Sequence, residues 1–485
     1  MSPRKIQGGE ASPLASAPAH RPLSAAEGGV SKGSGQGSSA TPLSEDAPRN
    51  APVWPRVEVQ DVCELIVDCV NKTAPLSETK TPFKMIRTTN IRDGKIDLGE
   101  CRYVSEDVFE KWTRRAKVID GDVLLTREAP IGEVGYVQGL GSVFLGQRVM
   151  QYRANATHLD PRFLFFSFRS KELQHQFGSH EGSGSVVSHI RVGDCSKFKI
   201  PLPPLPIQKA IAHILGTLDD RIELCRRMNE TLEAMARALF KDWFIDFGPV
   251  RAKMEGREPP GLSPEIAALF PSKLVDSQLG EIPEGWAAAS LKEIIEFNPT
   301  EGLKKGAVAP YLDMAALPTS GCCPDIAVPR EFGSGMKFRN DDTLVARITP
   351  CLENGKTAFI QHLPEGAIAW GSTEFIVMRP RNPIPAPFVY LLARDEAFRE
   401  CAIRSMTGTS GRQRAQASLI SDYKFVNPSD AVWGAFGEAI STSFGVIKSN
   451  FSRLAVLEQT RDTLLPKLLS GELSIPEAML QVEAA

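Results

Sequence analysis

Two long stretches of the chain carry apolar residues at spacings that alternate between four and three. The first runs through Ile207, Ile211, Ile214, Leu218, Cys225, Met228, Leu232, Met235 and Leu239; the second through Trp433, Ile440, Phe444, Ile447, Phe451, Leu454, Leu465 and Leu468. That alternation predicts a coiled-coil seam rather than the broader apolar face of a helix lying on its own domain. Arg221 interrupts the first seam beside Ile222, as a register-fixing polar residue does, and Glu458 and Arg461 blunt the second near its end. The turn-rich IPLPPLP ending at Pro206 precedes the first helix, and DFGPV stops it between Phe244 and Gly248. The two seams can satisfy each other if the helices pair antiparallel, which puts one domain at each end of a rod roughly 55 Å long, at about 1.5 Å per residue. The other reading packs each helix separately on its own domain.

Between and before these helices the polar and apolar pattern is irregular, and it repeats. DGDVLLTREAPIGEVGYV (Asp120 to Val137) parallels NDDTLVARITPCLENGKTAFI (Asn340 to Ile360), with Arg127 answering Arg347. GQRVMQY from Gly146 answers GSTEFIVM from Gly371, and PRFLFFSFRSKELQHQFGS from Pro161 answers PFVYLLARDEAFRECAIRS from Pro387. Each copy then enters a polar loop, HEGSGSVVSHI or MTGTSGRQRAQASLI, before a short strand and its long helix. Four matches in the same order predict a duplicated unit with two similar binding events. The expected fold class is α+β, with two similar mixed α/β domains separated by two long antiparallel coiled-coil helices. The expected boundaries are an extension at 1–52, a first domain at 53–204, a central helix at 205–248, a linker at 249–280, a second domain at 281–430, a C-terminal helix at 431–472 and a tail at 473–485.

Composition narrows the function less than the pattern does. The 485 residues have room for several cores at 42% hydrophobic content. No apolar run reaches the length of a membrane span and no apolar secretory core opens the chain, so a cytoplasmic location without membrane partners is expected. The nine cysteines include no CxxC pair, which argues against a disulfide framework or a zinc site; adjacent Cys322 and Cys323 read as part of a loop. A net charge of −2 requires any nucleic-acid binding to rest on local patches or on partner subunits. Residues 1–52, rich in Ser, Gly, Pro and Ala, are expected to be disordered, with a natural start near Val53 as one explanation. Physically, two similar domains held apart by a stiff strut can read two sites on an elongated ligand, and DNA, whose faces recur about every 34 Å, is the natural candidate.

The ordered segments from Val53 to Pro476 resemble the specificity subunit of type I restriction-modification systems. WPRVEVQDVCELIVDC and TPFKMIRTTNIRDGKIDL look like the start of that family's first target recognition domain, and LPPLPIQKAIAHILGTLDDRIELCRRMNETLEAMARALFKDWFIDFGPV resembles its central helix. FPSKLVDSQLGEIPEGW is similar to the lead-in to its second recognition domain, and LLPKLLSGEL to its closing motif. The resemblance implies a noncatalytic subunit that binds a split, asymmetric target on double-stranded DNA. It further implies two methyltransferase subunits along the helices and restriction subunits joined to that core, with S-adenosylmethionine, ATP and magnesium on the partners. A scaffold whose duplicated domains bind proteins is the alternative.

Catalytic motifs are missing from the sequence. FNPTEG at Phe297 and REPPGL at Arg257 both fail the [DN]PP[YF] pattern of an amino-adenine methyltransferase, and no GxxxxGK[ST] loop is present. Asp325, Glu353 and Lys356 are unremarkably spaced for a nuclease, and His175, His180 and His189 have no Cys at metal-ligand spacing, so no metal is expected. Bases are read by Arg, amide and hydroxyl side chains at groove edges. The candidates are therefore Arg87, Thr88, Thr89, Asn90 and Arg92 in the first domain, with Ser183, Ser185, Ser188, His189 and Arg191 on its polar loop. In the second they are Thr407, Thr409, Ser410, Arg412, Gln413, Arg414 and Gln416. Arg127 and Arg347 follow strands and are candidates for phosphate, or equally for structural salt bridges.

Overall fold

A computed structural model describes residues 54–70, 72–179, 189–409 and 411–483. The expected disorder of residues 1–52, and candidates Ser183, Ser185, Ser188 and Ser410, lie outside the described residues.

The duplication holds strand by strand in the main sheet. The first domain has a four-stranded antiparallel sheet in the spatial order Cys63–Asp68, Val149–Ala154, Val123–Arg127, Ile131–Tyr136. The second has Ile295–Phe297, Phe375–Pro380, Thr343–Ala346, Thr357–Phe359 in the same order. A second sheet in each contains one parallel pair, Lys84–Ile86 with Val143–Leu145 and Val308–Leu312 with Ala369–Gly371. Two consecutive helices cover each four-stranded sheet, Pro161–Arg169 with Lys171–Gly178 and Ala386–Arg394 with Glu396–Arg404. Even the buried charge repeats. Asp122 pairs with Arg153 at 2.8 Å and Asp342 with Arg379 at 2.7 Å, both aspartates being fully buried.

The central helix is Leu205–Phe244 and the C-terminal helix Asp430–Ser470, each about 60 Å long. Proline in the first turn starts the central helix, whereas Gly471 in the left-handed region (φ 78°) ends the C-terminal one. They pair antiparallel: Asp219 meets Arg461, Arg226 meets Glu458, Asn229 meets Asn450, and Phe244 stacks on Trp433. After each long helix the chain turns into a short one, Gly248–Met254 or Ile475–Glu483, and Arg221 Nη1 donates to the Val482 carbonyl (3.1 Å).

Each end of the pair is built into one domain's core. Ile211 to Cys225 and Leu457 to Leu469 pack with the first domain's Phe163, Phe166 and Phe168. Phe240, Trp243, Phe244, Trp433 and Phe436 pack with the second domain's Phe388 and Phe425, where Phe244 lies 4.8 Å from Phe436 and Phe388 4.6 Å from Trp433. Such ring pairs contribute about 0.5–1.5 kcal/mol each beyond area burial. Polar pins fix the orientation. Asp219 on the central helix bridges Arg169 of the first domain (3.2 Å) and Arg461 of the C-terminal helix (3.0 Å). At the other end the Tyr390 hydroxyl donates to the buried Glu233 carboxylate (2.6 Å), which also pairs with Arg237.

The expected seam is right in period and drifts beyond Cys225, where Leu232 and Leu239 are half-buried against the second core but the two methionines face outward. Met228 and Met235 are 40% and 61% exposed, and the inward positions are Ile222, Cys225, Asn229, Glu233, Ala236, Phe240 and Trp243. On the second helix Asn450 and Leu457 point inward where Phe451 and Leu454 are only half-buried. The cause is the polar waist between the two cores, where Asn450 Nδ2 donates to Asn229 Oδ1 (2.8 Å). Nearby apolar side chains serve other surfaces: Phe451, for example, stacks on His362 at 3.7 Å. Cys322 and Cys323 do lie in a loop beside this waist, with their sulfurs 3.7 Å apart.

Candidate nucleic-acid interface

Most of the first-domain candidates gather on one concave face. One hollow is lined by Arg127, Gln147, Arg148, His189 and Arg191, beside Asp68. A second, sharing Gln147, is lined by Lys72, Arg87, Thr88, Thr89, Arg102 and Gly146. The lining holds six lysine and arginine side chains against one carboxylate, Asp68, which pairs with Arg115 (2.8 Å). In a chain of net charge −2 this is the local positive patch that phosphate binding requires.

Local chemistry sets the positions. Arg87 N donates to Asn90 Oδ1 (2.9 Å) and Asn90 Nδ2 to the Asp97 carbonyl (2.9 Å), so Asn90, 5% exposed, shapes the turn that presents Thr88 and Thr89. Arg92 is exposed but folds back, its Nη1 donating to the carbonyls of Thr88 and Ile91. Arg127 is nearly buried and holds the polar loop from both sides: its Nη1 donates to the Ile190 carbonyl (3.0 Å), and its own carbonyl accepts from Ile190 N (3.0 Å).

The second domain repeats that docking with different side chains. Ala415 N donates to the Arg347 carbonyl (2.7 Å) and Thr349 N to the Gln413 carbonyl (3.1 Å). Thr407 and Arg414 exchange both backbone hydrogen bonds, and Gln416 Nε2 donates to Thr407 Oγ1 (2.8 Å). Arg412 N donates to the Thr409 carbonyl, which leaves these two residues at the exposed tip. The Arg414 guanidinium is turned inward onto Glu374, with Nε 2.9 Å and Nη2 2.7 Å from the carboxylate. Among the described residues the Nε of Arg87, Arg127 and Arg347 is buried without a partner.

Four lining residues escaped the sequence reading: Lys72, Arg102, Gln147 and Arg148. Gln147 and Arg148 stand inside the GQRVMQY repeat, and their signal was a glycine followed by an amide and a guanidinium where a strand ends. Strand register aligns this turn. Leu145 pairs with Ile86 and Gly371 with Leu312, while Val149 lies opposite Thr126 and Phe375 opposite Ala346. Gly146 therefore corresponds to Ser372, Gln147 to Thr373 and Arg148 to Glu374, one residue from the pairing that the shared glycines suggest.

The family described as "Type I restriction modification DNA specificity domain" matches residues 53–234. The chain is 26% identical over 407 residues to the type I restriction enzyme HindI specificity subunit of Haemophilus influenzae, covering 73% of this chain and 86% of that one. It is 26% identical over 367 residues to the MjaIX specificity subunit of Methanocaldococcus jannaschii, covering 74% and 78%. In fold it is similar to the crystal structure of a type I restriction-modification S subunit from M. genitalium, with a TM-score of 0.53 and 16% identity over 87% of this chain and 97% of that one. With its duplicated domains on an antiparallel helix pair, the chain is similar over about three quarters of its length to type I restriction-modification specificity subunits, and residues 53–234 match their DNA specificity domain.

Proposed function

We propose that the chain reads a two-part DNA target, one half with each duplicated domain, and directs methyltransferase and restriction subunits to it without catalysing either reaction itself. The observation that carries this reading is the cationic concave face of the first domain, in a chain that is otherwise slightly acidic. A protein scaffold has no need of six cations around two adjoining hollows with Asp68 as the one carboxylate in their lining. Because the two polar faces differ in their side chains, the two half-sites differ in sequence. S-adenosylmethionine, ATP and magnesium belong to the partner subunits in this reading. Among the described residues no helix is long and apolar enough to cross a membrane.

The test is methylome sequencing of the host before and after deletion of this gene. One split motif loses its adenine methylation and regains it on complementation. An unchanged methylome in a host that carries the partner methyltransferase refutes the reading.

A further inference from the structure

We infer that Gln147 reads one base of the first domain's half-site, with adenine as the base that its amide fits. The inference rests on the DNA-reading function proposed above and adds a specificity-determining residue to it.

Gln147 stands where the two hollows of the cationic face meet. Its side chain is exposed and makes no hydrogen bond among the described residues, so both its donor and its acceptor are available. The backbone on either side is held. Gly146 N donates to the Ile86 carbonyl (2.6 Å), and a Cβ at position 146 would lie 2.8 Å from that oxygen, so only glycine permits this approach. Arg148 sits at φ 70°, a left-handed conformation that arginine seldom adopts. It is kept there by its carbonyl, which accepts from Arg127 N (2.8 Å), and by its ion pair with Glu128 (3.0 Å). A free amide between two anchored residues, flanked by cations that can grip phosphate, is preorganised for a base edge. A glutamine amide matches adenine N6 and N7 in the major groove with two hydrogen bonds.

The duplicated domain supports the assignment by contrast. At the equivalent turn Thr373 stands where the amide is. Glu374 replaces the arginine and is neutralised by Arg414 rather than left facing the ligand. The two turns share one anchor, Arg127 N donating to the Arg148 carbonyl and Arg347 N to the Glu374 carbonyl, but the glycine at 146 and the left-handed residue at 148 belong to the first domain alone, and each half presents a different side chain.

The experiment complements the gene deletion with full-length Gln147→Ala and Gln147→Glu and sequences the methylome, with melting of the purified variants as a fold check. Gln147→Ala is expected to relax one position of one half-site, with a loss of discrimination of roughly 10- to 100-fold there. Gln147→Glu, which keeps the shape but offers only acceptors and so loses the match to adenine N7, is expected to shift that position towards cytosine, whose N4 amino group donates to a carboxylate. The other half-site and the spacer stay unchanged in both. A wild-type motif in both variants overturns the assignment and leaves the DNA-reading function intact. Uniform loss of methylation by stably folded variants also overturns it, since Gln147 would then supply affinity rather than sequence. Failure of the wild-type gene itself to restore any split motif overturns both.

Discussion

If the helix pair sets the distance between half-sites, lengthening it must change the spacer by a calculable amount. The polar waist is the place to do so, because the helices meet there through the Asn229–Asn450 pair rather than through large apolar side chains, and the cost there is the stack of Phe451 on His362. Canonically spaced Ile and Leu heptads inserted after Glu230 in the central helix and after Ser449 in the C-terminal one leave the Asn229–Asn450 bond with the first domain. One heptad in each helix adds about 10 Å, at about 1.5 Å per residue, or about three base pairs of DNA at roughly 3.4 Å each. Three base pairs also rotate the second half-site by about a third of a helical turn, so the second domain no longer faces its groove. Three heptads add about 32 Å, close to the roughly 34 Å of one DNA turn, and restore the facing. Methylome sequencing is therefore expected to show weak or no modification with one heptad. With three it should show recovery of the original half-sites at a spacer about ten base pairs longer. Half-sites that change, or a three-heptad variant that still modifies the original spacing, would refute the idea that the strut measures distance.

Other perturbations follow from particular contacts. Asp219→Asn removes the charge shared by Arg169 and Arg461 and should cost about 1–3 kcal/mol in denaturant unfolding, with more than about 0.5 kcal/mol needed to sustain its role as a pin. Arg414→Ala should weaken DNA binding of the assembled complex in gel shift by freeing the Glu374 carboxylate, and Glu374→Gln added to it should restore binding; no rescue would mean that Arg414 touches DNA directly. Cys323 is pulled down to about 6, first by the neighbouring Cys322 thiol and further by His362, whereas Cys322 is pushed well above the usual thiol range. A lowered value means thiolate above that pH, so alkylation at Cys323, followed by mass spectrometry, should rise to a plateau between pH 5 and pH 7; a rate still climbing through pH 8.5 would contradict it.

The parts of this architecture that the sequence revealed are those written in large apolar residues. The repeated strands around Arg127 and Arg347 and the two long helices could be found because their buried faces recur in order. The seam slipped where burial becomes polar, since Asn229 and Asn450 carry no hydrophobic signal while exposed Met228 and Met235 do. Side-chain roles were less accessible. Asn90 looks like a base reader in the sequence and is in the fold a buried turn-former, because its amide closes on backbone groups of Arg87 and Asp97. Arg414 belongs to the richest basic loop, yet it lies against Glu374, 40 residues earlier. Gln147 was overlooked because its importance depends on two anchored neighbours, which no local pattern displays.

Each long helix lends one end to the first domain's core and the other to the second's. Neither sensor can therefore lose its interior without exposing apolar residues on both helices. Melting is then a concerted event, and a lesion in one half lowers the stability of the half that reads the other word of the target.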